Sequence, residues 1–99
     1  MPKEIEDLKE TKELKLKVIE HALKEGGLDM EYWHACDTTH CIAGWATHLA
    51  GVEELEERYP VHLLGKKLLG EEWADRFYDN DVWARKFLEE QKEILTKGE

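Results

Sequence analysis

Residues 32–51 read YWHACDTTHCIAGWATHLAG, and the reading of this stretch organises the rest of the chain. It holds both cysteines, three of the five histidines and two of the four tryptophans. Its second half reads as a helix that begins at Thr38 or Thr39, either of which can cap it, and runs to about Ala50. Gly51 supplies the stop. Gly44 lies inside this helix at a cost of roughly 0.5–1 kcal/mol relative to Ala. With Ala43, Ala46 and Ala50 beside it, that glycine predicts a second element packed very close.

Outward from this centre the chain reads as helices separated by glycine and proline. Residues 2–25 form one helix in this reading, with Ile5, Leu8, Leu16, Ile19, Ala22 and Leu23 inward, and Gly26-Gly27 ends it. His21 on this helix reads as a surface or boundary residue. Asp29 caps a single turn over Met30–Trp33, and Met30, Tyr32 and Trp33 are assigned to the core. Glu53–Arg58 is an acidic helical turn. Pro60 opens a helix with Val61, Leu64, Leu68 and Leu69 inward, and Gly70 closes it. Glu71–Tyr78 buries Trp73, Ala74 and Phe77. A last helix spans Val82 to about Lys97, capped by Asp79 or Asp81, with Val82, Trp83, Phe87, Ile94 and Leu95 inward. No strand pattern or repeat is visible. The expectation is an all-α fold, an irregular bundle of about five helices forming a single domain over residues 1–99.

Composition bounds the function. The chain is 41% hydrophobic and 37% charged with a net charge of −9, and no Lys or Arg occurs between Gly26 and Val52. A nucleic-acid partner is excluded at this level, because phosphate recognition needs a basic face. No apolar run is long enough to span a membrane, so a membrane partner is not expected either. The start Met-Pro-Lys-Glu carries no apolar leader. The expectation is therefore a cytoplasmic protein with reduced cysteines. Its protein or small-molecule partner is left open.

The residues that could carry chemistry are His34, Cys36, Asp37, His40, Cys41 and His48. Four readings stay open. In the first, Cys36, Cys41, His34 and His40, with His48 as a substitute for His40, ligate a metal such as zinc, which takes four Cys or His ligands. In the second, Cys41 is a catalytic nucleophile at a helix start with His48 or another histidine as base and Asp37 as orienter. A first-turn position would lower its thiol pKa modestly, through nearby backbone N–H groups and the helix dipole. In the third, Cys36 and Cys41 form a disulfide that staples loop to helix. In the fourth, both cysteines are small buried hydrophobes and the histidines cap or pack. The leading expectation is a structural or interaction module able to bind metal, and the alternative is a thiol enzyme using Cys41. Whether the chain is an enzyme stays undecided. The motif differs from the C-x-x-C-H of haem attachment.

The run Trp33-His34-x-Cys36-x-Thr38-x-x-Cys41-x-Ala43-Gly44-Trp45 resembles the C-G-T-x-x-C-x-A-G-W helix-start signature of small, largely uncharacterised bacterial and phage proteins. Here Asp37 stands where Gly is usual. The resemblance implies that Cys36 and Cys41 act as a pair and that His40 is less essential; it implies no catalytic residues. The flanking Lys-Glu spacing and clean caps resemble an idealised or computationally redesigned sequence.

Overall fold

A computed structural model describes residues 4–36 and 39–97, the side chains of Ala35 and Cys36 excepted. The fold is the expected all-α bundle: α1 (Lys12–Ala22), α2 (Ile42–Ala50), α3 (Val61–Leu69), α4 (Glu71–Ala74) and α5 (Asp81–Thr96). Two 3₁₀ turns, Ile5–Asp7 and Glu53–Glu57, complete the helical part.

Helix α2 is the axis of the molecule. Residues 42–47 are all buried, and the helix packs against α1 on one side and α3 on the other. Small residues make that approach possible. A Cβ on Gly65 of α3 would lie 2.9 Å from the Ala43 Cβ and from the Phe77 ring. A Cβ on Gly44 would lie 1.7 Å from the Trp33 carbonyl oxygen, so a backbone segment crosses directly over this glycine. The same carbonyl accepts the Cys41 N–H at 3.3 Å. Around α2 lies a core in which Trp73, Phe77, Ile19, Leu55, Leu64 and Leu88 are fully buried. Each such side chain contributes roughly 1.5–3 kcal/mol through removal from water.

Several local expectations are corrected. The first helix is broken: a capping box at Glu4 holds the short turn Ile5–Asp7, and Thr11 accepts the Leu14 N–H to start α1 anew. Thr38 lies outside the described residues, and Thr39 does not cap α2. The Thr39 hydroxyl donates to the Gly26 carbonyl instead, at 2.6 Å, and the N-cap is Cys41. The residues before it form a small antiparallel ribbon of β1 (His34–Cys36) and β2 (Thr39–His40), with a bulge between the paired positions. Two strands this short lie below what alternation can reveal, which is why no strand pattern was visible.

The cap of α5 is Asn80, which accepts the Trp83 N–H, and neither Asp79 nor Asp81. Its inward row is Ala84, Phe87, Leu88 and Gln91, a helical stripe. Val82, Trp83 and Ile94 are left exposed, as is Tyr32. Of this stripe the sequence reading found Phe87; Ala84 and Gln91 escaped it because one is small and one polar. Gln91 is held inside by donating to Glu72 Oε1 at 3.0 Å.

Candidate functional site

The site grows from how the chain wraps the first turn of α2. Gly27 presents its carbonyl to the His40 N–H at 3.2 Å and to the Trp45 indole N–H at 2.6 Å. The His40 carbonyl accepts the Asp29 N–H, and Leu28 pairs with His40 in parallel. These bonds fix the ribbon against Trp45. The His40 ring lies edge-on to Trp45, with centroids 4.5 Å apart, and stacks on His48 at 4.6 Å. His21 also approaches the indole, with centroids 5.2 Å apart. Ribbon pairing sets His34 opposite His40, and their Nδ1 atoms are 2.7 Å apart.

The chain then turns at Gly51, whose positive φ of 71° suits a residue without a Cβ. The 3₁₀ turn that follows repeats every three residues, so positions three apart eclipse. Val52 and Leu55 fall on the buried row, and Glu53 and Glu56 fall on the next one. That row meets the histidines. His34 Nε2 is 2.9 Å and 2.8 Å from the two oxygens of Glu56, and His48 Nδ1 is hydrogen-bonded to Glu53 Oε1.

One set of proton positions satisfies every partner. An ionised Glu56 can only accept, so His34 Nε2 donates to it. In the neutral His34 ring Nδ1 is then the acceptor, and the His40 Nδ1–H donates. A chain of hydrogen bonds thus runs Glu56, His34, His40, from a half-buried carboxylate to an imidazole that is 2% exposed.

Among the described residues, one group of three has the donor atoms to hold a metal ion: His34, Glu53 and Glu56, whose ligand atoms all lie within 4.8 Å of one another. Of the expected metal residues whose side chains are described, His34, His40 and Cys41, only His34 belongs to it. His40 and His48 lie behind, against His34 and Glu53 respectively. The side chain of Cys36, and all of Asp37, lie outside the described residues.

Cys41 is placed differently. Its thiol is free, 1% exposed, and accepts the Gly44 N–H at 3.2 Å as the helix cap. The free thiol lends the disulfide reading no support. Burial pushes the thiol up to about 11 from its ordinary 9.0, against the opposing pull of the Gly44 backbone N–H. The expected depression is therefore reversed, because desolvation exceeds what a few backbone dipoles return. His48, the base assigned to Cys41, has its Nδ1 on Glu53, and no histidine ring nitrogen hydrogen-bonds the Cys41 sulfur among the described residues.

Glu53 and Glu56 were missed as site residues. The available signal was a carboxylate pair three apart immediately after a helix-ending glycine, within an acidic run that has no Lys interleaved.

In comparison with known proteins, the chain matches no family model, no curated protein and no solved structure. No described helix is long and apolar enough to cross a membrane.

Proposed function

We propose that this protein is a small helical module that holds one divalent metal ion, zinc before others, on His34, Glu53 and Glu56. The observation that carries the reading is the convergence of one imidazole nitrogen and two carboxylates within 4.8 Å. Ligand bonds of about 2.0–2.2 Å place tetrahedral donors roughly 3.4 Å apart, between the 2.8 Å that separates His34 Nε2 from Glu56 and the 4.8 Å that bounds the whole group, an adjustment that small side-chain rotations supply. A nitrogen-and-oxygen set with one position left over is the donor type of zinc sites that admit water or a further ligand.

The surroundings support the same reading. A ligating histidine is normally oriented through its other ring nitrogen. For His34 that nitrogen is Nδ1, 2.7 Å from His40 Nδ1; a metal on Nε2 would move the His34 proton to Nδ1 and reverse the direction of this hydrogen bond, His40 then accepting. Glu53 is oriented in turn by His48. In the run that resembles the bacterial and phage proteins, this assigns the metal to His34, its orientation to His40, and the helix cap to Cys41.

The alternative, a thiol enzyme using Cys41, has less behind it: the thiol is buried, its pKa is raised to about 11, and no histidine ring nitrogen hydrogen-bonds it among the described residues. Calorimetric titration of zinc into chelator-treated protein tests the proposal. One site per chain is expected. His34→Ala, Glu53→Gln and Glu56→Gln should each weaken it by about tenfold or more, the scale seen even for outer-shell changes. Cys41→Ser should leave it intact. No saturable binding, or binding indifferent to all three ligands, refutes the proposal.

A further inference from the structure

Away from the histidines, a groove of about 820 Å³ runs between the loop at Leu28–Glu31 and the start of α5. Asp29, Glu31, Asp79 and Asp81 line it, and among the described residues no Lys, Arg or His does. Tyr78 and Val82 in its wall are 75% and 74% exposed. Tyr32, 61% exposed, shares an adjoining hollow with Tyr78. Three of the five large apolar side chains that the described fold leaves exposed therefore gather on this face.

The walls are fixed in place. Asp81 Oδ1 accepts the Met30 N–H at 2.7 Å, and Asp29 Oδ1 accepts the Glu31 N–H at 2.9 Å. Trp33 and Tyr78 meet edge to face at 6.0 Å. Asp79 Oδ2 is enclosed with no hydrogen-bond donor, its nearest cation being Arg76 Nη1 at 3.6 Å. Buried carboxylate oxygens normally have a donor.

We propose that this groove docks a segment of a partner protein that carries Lys or Arg between apolar residues. Asp79 is paired with Arg76, but Asp29, Glu31 and Asp81 have no ion pair among the described residues, and these three carboxylates set the sign of the partner. The exposed tyrosines and Val82 accept the aliphatic stems of Lys and Arg and stack on guanidinium groups. One metal ion does not fit the pattern, because the four acids do not converge: among the described residues, the one group of three donors within 4.8 Å is His34, Glu53 and Glu56. The inference is independent of the metal site.

The test uses a fluorescent ten-residue peptide alternating Arg or Lys with Leu, and its counterpart with Glu in place of every base. Anisotropy and amide chemical shifts are read at physiological salt. The basic peptide should bind saturably, with shifts concentrated in residues 26–31 and 78–82, and the Glu peptide should not bind. The double variant Glu31→Gln/Tyr78→Ala alters two exposed side chains, and it should weaken binding tenfold or more with an unchanged melting temperature. Shifts spread over the whole acidic surface overturn the proposal, as does unaltered binding by the double variant or no binding at all. Full competition by calcium or spermine at equal charge assigns the groove to small cations and also overturns it.

Discussion

The two ends of α2 carry similar chemistry and are built for opposite ends. At the N-cap, Cys41 is dry, its sulfur accepts the Gly44 N–H, and core side chains enclose it. At the last turn, His48 is half-buried, faces an exposed Glu53, and shares its ring face with His40. A sulfur and an imidazole in one motif look like one site in sequence. In the fold, burial separates them: desolvation turns the thiol into an apolar filler, while His48 keeps a partly exposed edge beside Glu53.

The comparison is easiest to break at its hinge, Gly44. Its absent Cβ is what lets the Trp33 backbone cross α2 and bring the ribbon histidines to the helix. A side chain there meets a carbonyl, not a flexible tip. Gly44→Leu should therefore cost about 3 kcal/mol or more, the upper end of overpacking penalties. Denaturant unfolding measures it, and an unchanged midpoint would mean that the ribbon does not cross there.

Cys41 offers the next effect. Its folded pKa of about 11 lies above the ordinary 9.0. The buried neutral thiol therefore contributes stability that is fully present below about pH 9 and is lost as pH rises through about 11. Two pKa units correspond to about 2–3 kcal/mol. Stability measured from pH 8 to 11.5 should fall more steeply in the wild type than in Cys41→Ala, by this amount. Parallel curves would place the thiol in solvent and restore the nucleophile reading.

A smaller effect sharpens the dry side. Thr47 is fully buried, and its hydroxyl donates to the Gly44 carbonyl at 3.1 Å. Thr47→Val keeps the shape and removes one neutral hydrogen bond, at about 1 kcal/mol. A loss well above 2 kcal/mol in thermal unfolding would reveal a second role for this hydroxyl in holding the helix.

Much of this was legible beforehand. Helices α2 and α3 follow from periodicity and their glycine stops, and Gly44 announced a close approach although its partner could not be named. The candidate site was legible only by half. His34, His40 and His48 stood out by type, but their grouping depends on a two-strand ribbon too short to leave a pattern. Glu53 and Glu56 looked like solvated surface, because a helical reading of the acidic run does not eclipse positions three apart as the 3₁₀ turn does. Cys41 was misjudged by two or three positions in the helix, the distance from the expected caps Thr39 and Thr38 to the observed one. As N-cap and not first-turn residue, it sits under the Trp33 carbonyl, where burial outweighs the dipole.

The central claim is that ligand chemistry lives on the histidine–glutamate side and not on the cysteine side. Cobalt(II) loading tests it most directly, because thiolate ligands and nitrogen–oxygen ligands give different spectra. The account predicts one cobalt per chain with visible d–d absorption and no thiolate-to-metal charge-transfer band. That spectrum should be unchanged in Cys41→Ser and Cys36→Ser and lost in Glu56→Gln. A strong charge-transfer band that disappears on replacing either cysteine would contradict it and return the metal to the cysteines.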